Sequence, residues 1–97
     1  MEGEKGNVNS FISLALDSSG TPHIGYYHSI NHDLKYAVKS GGIWTIDTVD
    51  STGDVGSFAS LALDSSGNPH ISYYDNTNGD LKYAVKSGGI WTIDTVD

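Results

Sequence analysis

An all-β fold of two four-stranded antiparallel sheets is what this sequence predicts, and three observations predict it. Shifted by 47 residues on itself, the chain overlays Glu4–Asp50 on Ser51–Asp97 with identity at 36 of 47 positions. No window carries an apolar stripe at i, i+3, i+4; apolar residues alternate instead. Glycine or proline interrupts the chain about every ten residues, the spacing of short strands joined by tight turns.

The second unit shows each element in order. Phe58–Asp64, FASLALD, alternates Ala59, Leu61 and Leu63 against Phe58, Ser60 and Ala62, a first strand with apolar residues on both faces and Phe58 opposite Leu61. The turn SSGNP follows, with Gly67 free to take positive φ and Pro69 unable to donate to a ladder. HISYYD, His70–Asp75, is rich in the aromatic and branched residues that suit a strand. Asn78-Gly79 then signals a hairpin, because both residues tolerate positive φ. In the first unit the same place is Asn31-His32, which puts a side chain where positive φ is required. Leu81–Ser87 alternates Leu81, Tyr83 and Val85 with Lys82 and Lys86, and Gly88-Gly89 turns the chain again. Ile90–Val96 closes the unit; its Thr92, Asp94 and Thr95 suit an outer, solvated edge. The expected organisation is a leader over 1–9, a first sheet over 10–50, a linker over 51–57 and a second sheet over 58–97.

A four-stranded meander repeated at this period is the sequence form of a β-propeller blade. A sheet wet on one face would alternate apolar with charged residues, whereas a first strand apolar on both sides calls for a neighbour on each. The residues expected to pack between blades are Phe11, Leu14, Leu16, Tyr26 and Trp44, and Phe58, Leu61, Leu63, Tyr73 and Trp91. Two blades do not close a ring, which takes about four to eight. Copies are therefore expected to join head to tail into a cyclic homo-oligomer, a trimer or tetramer giving six or eight blades in all.

Composition narrows the partners. Five lysines and no arginine face twelve carboxylates, for a net charge of −7. That balance offers no electrostatic footprint for nucleic acid or an anionic membrane. With no cysteine, no disulfide supports so short a chain. The opening MEGEKGNVN has no apolar run of the kind a signal peptide needs, and the compartment stays unassigned.

At ALDSSGNPHISYYD, LKYA and GGIWTIDTVD the chain resembles the tandem-repeat bacterial β-propellers related to the sialidase-like superfamily. The resemblance runs from Phe11 to the end of the chain. It implies that the ALD strand lies innermost beside the ring axis, that the Trp strand lies outermost, and that an extracellular bacterial parent is compatible. The Asp64-Ser65-Ser66-Gly67 turn departs from an Asp-box in spacing and lacks the following Trp. Sialidase activity is excluded, because that chemistry uses an arginine cluster on the sugar carboxylate and lysine does not reproduce the bidentate fork.

No catalytic residue and no cofactor is expected. Asp17 and Asp64 sit at the mouths of their turns, where an aspartate accepts from backbone N–H groups. His23 and His70 are repeated beside a proline, as packing residues would be. Asp75–Asp80 lacks the alternating oxygen ligands of a calcium loop. No metal site is expected; His28 and His32, found only in the first unit, are the weak candidates. Eight of the eleven differences between the units fall at one end of the sheets: at 4/51, 5/52, 7/54, 9/56, 28/75, 29/76, 30/77 and 32/79. Loops on a rigid scaffold are where binding is usually placed. His28, Asn31, His32, Asp75 and Asn78 are accordingly the candidate ligand-binding residues, for a glycan or a protein. The expected function is a non-enzymatic, self-assembling propeller scaffold with a binding face at that end. The alternatives are a glycoside hydrolase or lyase, and an engineered repeat or fragment with no function beyond assembly.

Overall fold

A computed structural model describes residues 9–97. Residues 1–8, most of the expected leader, and with them Glu4, Lys5 and Asn7, lie outside the described residues. Eight strands follow one another: β1 (Asn9–Leu16), β2 (Pro22–His28), β3 (Asp33–Ser40), β4 (Ile43–Asp50), β5 (Val55–Leu63), β6 (Pro69–Asp75), β7 (Asp80–Ser87) and β8 (Ile90–Thr95). They form two four-stranded sheets, β1-β2-β3-β4 and β5-β6-β7-β8, with every neighbouring pair antiparallel. Each sheet starts at one edge and ends at the other, so each is a simple meander. β5 packs against β1, β2 and β3, which joins the sheets through a common core. The fold is two successive β-propeller blades.

The turns explain the strand boundaries. Asp17 Oδ1 accepts from the backbone N–H of Ser19 at 2.9 Å and of Thr21 at 3.0 Å, and Asp64 does the same for Ser66 and Asn68. At the other end, the His32 N–H donates to the His28 carbonyl at 2.8 Å, and the Gly79 N–H donates to that of Asp75 at the same distance. His32 sits at φ +62° and Gly79 at φ +72°, so one turn geometry serves both loops and costs strain only in the first.

The first strand departs from simple alternation. Pairing of β1 with β2 runs from Ser10↔Tyr27 to Ser13↔Gly25, so Phe11 and Ile12 together face Tyr26. In β5, Phe58 and Ala59 likewise face Tyr73. Phe11 (φ +52°) and Phe58 (φ +56°) each take the left-handed conformation at this bulge. The extra residue resets the register, so the sequence expectation that Phe58 points opposite to Leu61 by parity does not describe the strand. The strand also begins at Val55, within the stretch expected to be linker.

The core consists of Leu34, Tyr36, Val49, Val55, Leu61, Ile71, Tyr73 and Ala84. All of it lies at the seam between the blades, where blade one turns one face and blade two turns the opposite one. The other two faces are open. Leu34 is 0% exposed while its repeat counterpart Leu81 is 44% exposed, and Leu61 is 8% exposed while its counterpart Leu14 is 60% exposed. The same residue in the same blade position is thus core or surface according to which side has a neighbour.

Candidate functional site

The two ends of the sheets carry different chemistry. At the end formed by the Asp-Ser-Ser-Gly turns, Asp17 Oδ2 accepts from His23 Nε2 at 3.0 Å, and His23 Nδ1 is bonded to the Tyr36 hydroxyl. With the carboxylate accepting, Nε2 carries the proton, and in the neutral ring Nδ1 accepts from the tyrosine. Blade two repeats the relay, with Asp64 to His70 at 3.0 Å and His70 to Tyr83 at 2.6 Å. The His70 bond and the backbone donor of Asn68 together lower the Asp64 carboxyl to about 2. Burial, then the negative charges of Asp47 and Asp17, pushes the Tyr36 hydroxyl up to about 12. Each relay ties a turn to the two strands beyond it. Between the two turns lies a groove of about 390 Å³ lined by serine hydroxyls, the Asp17 and Asp64 carboxylates, Leu16 and Leu63.

The opposite end gathers the β2–β3 loop, the linker and the start of β5. Tyr27 donates its hydroxyl proton to Asp54 Oδ1 at 2.7 Å. That hydroxyl also lies 2.7 Å from His32 Nδ1, and having given its proton away it accepts here, so Nδ1 is the protonated nitrogen of the ring. Asn76 donates from Nδ2 to Asp54 Oδ1 at 3.0 Å and to Ser57 Oγ at 2.8 Å. Asn76, then Tyr27, holds the Asp54 carboxyl below its usual range. Burial, reinforced by Asp54, pushes Tyr27 up to about 12. Beside this polar group the rings of Phe11 and Phe58 meet at 4.7 Å, Phe11 lies edge-on to Tyr27 at 6.1 Å, and Phe58 lies 6.4 Å from Tyr74. Phe11, Phe58 and Tyr74 remain exposed. Partly exposed aromatic faces next to hydroxyl, amide and carboxylate groups can stack on an apolar ring face while bonding its hydroxyls.

The five candidate ligand residues separate in space and in state. His32 belongs to this cluster. His28 Nδ1 accepts from the Asn31 N–H at 3.3 Å, which shapes the loop. Asp75 is buried, accepts from the N–H groups of Thr77 and Asn78 and from Asn78 Nδ2, and has Lys82 Nζ at 3.9 Å. Asp75 and Asn78 therefore engage one another. Among the described residues no group of three or more His, Asp or Glu side chains is arranged to hold a metal ion.

Of the residues expected between blades, Leu61 and Tyr73 are buried in the seam, and Leu63 and Trp91 pack against it. Leu14, Leu16, Trp44, Phe11 and Phe58 are exposed, and Tyr26 is half-buried on the open face of blade one. Sequence reasoning left Tyr27, Asp54 and Asn76 outside the candidate site. Asp54 and Asn76 stood among the positions that vary between units, and that was the signal available. It also missed two carboxylates in the seam. Asp50 accepts from the Tyr73 hydroxyl at 2.7 Å, and Asp47 Oδ2 accepts from Lys86 Nζ at 2.7 Å and Trp91 Nε1 at 3.2 Å.

No family model and no curated protein matches the chain. Among solved structures it is similar to a fucose lectin from Kordia zhangzhouensis in complex with methyl-fucoside, at 25% sequence identity and a TM-score of 0.52. The match covers 86% of this chain and 61% of the lectin chain, so this chain spans less than two thirds of the protein it matches. With its two meander sheets and shared core, the chain is an all-β pair of propeller blades that shares its fold with part of that lectin.

Proposed function

We propose that this protein is a non-enzymatic carbohydrate-binding module that completes its propeller by assembling with copies of itself. The observation that carries the assembly is the mismatch between equivalent residues: Leu14 is open where Leu61 is covered, and Leu81 is open where Leu34 is covered. One blade face of each kind is exposed, and each is the complement of the other. Copies stacked head to tail bury both, and closure gives a trimer or tetramer of six or eight blades in all, within the usual range of about four to eight. Similarity to a fucose lectin supports a sugar as ligand, and the aromatic and polar cluster around Phe11, Phe58, Tyr27, His32, Asp54 and Asn76 supports its location. The order of turn, aromatic pair, LKYA strand and Trp supports descent with the tandem-repeat bacterial propellers related to the sialidase-like superfamily.

The test is light scattering for mass, followed by a glycan array and calorimetry with methyl-fucoside on the assembled species. A ring of three or four copies that binds fucosides or another glycan class is the expected result. A folded monomer at micromolar concentration would remove the assembly. A ring silent on the array and in calorimetry would remove the sugar.

A further inference from the structure

The seam inside the chain serves as a template for the seam between copies. Leu34 sits against Gly56: a Cβ built at Gly56 would lie 3.0 Å from Leu34 Cα and 3.1 Å from its Cβ. The counterparts of Gly56, Ala59, Ile71 and Tyr73 in the first unit are Asn9, Ile12, Ile24 and Tyr26. Those four residues line an open, mostly apolar cavity of about 180 Å³ on the uncovered face of blade one. The counterpart of Leu34 is Leu81, which stands 44% exposed on the uncovered face of blade two. One face therefore presents a leucine, and the other presents a hollow in the place where the same leucine is seated within the chain.

We propose that Leu81 of one copy enters the Asn9–Ile12–Ile24–Tyr26 cavity of the next, and that Asn9 limits how closely the copies approach. This rests on the assembly reading above and names its docking contact. Two polar seam contacts transfer with identical residues: the clamp of Lys86 and Trp91 on Asp47 becomes Lys39 and Trp44 on Asp94, and Tyr73 on Asp50 becomes Tyr26 on Asp97. Three described seam positions do not transfer unchanged, and at one of them the bulkier Ile12 replaces Ala59 in the wall of the hollow. Ser72 replaces Gly25, but a Cβ at Gly25 meets Ile71 Cδ1 at an ordinary 3.4 Å, so the serine fits. Asn9 replaces Gly56, where φ is +117° and the nearest atoms include the Leu34 backbone, which has little room to yield. Asn9 instead pairs regularly with His28, while in blade two the register shifts and Val55 pairs with Asp75. Among the described residues blade one has no bulge at the place of Gly56, and the seam between copies is looser than the seam within a chain.

Light scattering over a dilution series of the wild type, Leu81→Asp and Asn9→Gly tests this. The charge at Leu81 is expected to raise the midpoint concentration for ring formation by about a hundredfold or more, since a buried leucine is replaced by a desolvated carboxylate. The chain itself should stay folded by circular dichroism, because Leu81 is exposed within it. Asn9→Gly is expected to lower the midpoint by about tenfold, as the glycine lets the seam close to the within-chain geometry. That gain has no explanation in misfolding. A Leu81→Asp ring as stable as the wild type, or an Asn9→Gly ring that dissociates more readily, overturns the inference and leaves the assembly reading standing. A wild type that never assembles overturns both.

Discussion

Single residues in this chain are set by local geometry more than by type. His32 takes positive φ because its loop closes with the same turn that Gly79 makes in blade two, and the non-glycine side chain bears the strain. His32→Gly is expected to stabilise the fold by about 0.5–1 kcal/mol, less than the full strain because the bond to the Tyr27 hydroxyl is lost. Chemical denaturation of the two proteins at equal concentration checks this, and a destabilised variant would show that the histidine bond outweighs the strain. Asp64 has a consequence for acid stability. Its folded carboxyl is depressed to about 2, so it favours the fold fully above the ordinary carboxylate range and loses that contribution as pH falls through about 2. Asp64→Asn should therefore flatten the fall of stability between about pH 4 and pH 2. Melting curves at a series of pH values read this directly, and unchanged steepness would mean that the turn does not couple to folding.

At the scale of strands and seams, the deciding features are close approaches. Gly56 and Gly25 both lie at the blade seam, yet they differ in what a side chain would meet. Gly56→Ala is expected to cost about 2–3 kcal/mol, combining a forbidden φ with backbone 3.0 Å away, whereas Gly25→Ala should stay within about 0.5 kcal/mol of wild type. Equal effects in thermal denaturation would contradict this placement of β5 on β3. Tyr73→Phe probes the buried carboxylate instead. It leaves Asp50, only 6% exposed, with the Thr52 N–H as its remaining hydrogen-bond donor among the described residues, and is expected to cost about 1–3 kcal/mol. A neutral result would mean that water replaces the tyrosine hydroxyl.

The molecule as a whole is a repeating unit with one seam made and two half-seams open. Its exposed large hydrophobics include Ile12 and Leu14 on the uncovered face of blade one and Leu81 on that of blade two, while Phe11 and Phe58 meet at the loop end. If copies join as proposed, a stability measured on the single chain describes only part of the assembly. Under the assembly reading, the melting temperature should rise with protein concentration, by several degrees per decade for a chain this short. Scanning calorimetry over a hundredfold range of concentration, about 1 to 100 μM, checks this. A melting temperature independent of concentration would count against any stabilising contact between copies.

By itself the sequence determined the repeat, the four strands of each blade, the turns and the end at which the units differ. These depend on short-range physics: alternation, glycine at positive φ, and an aspartate that accepts from its own turn. It also exposed the strain at His32, because comparing Asn31-His32 with Asn78-Gly79 shows where a side chain replaces a glycine. The tertiary structure alone decided three things. The bulges at Phe11 and Phe58 break the parity on which facing was judged, because an inserted residue resets every partner beyond it. Asp47 and Asp50, which read as polar residues of an outer strand, are seated in the seam because the neighbouring blade supplies Lys86, Trp91 and Tyr73. Leu34 and Leu81 stand in identical eighteen-residue stretches, yet one is core and the other surface. Burial belongs to the neighbour across the seam, and an identical local sequence holds no record of which neighbour it has.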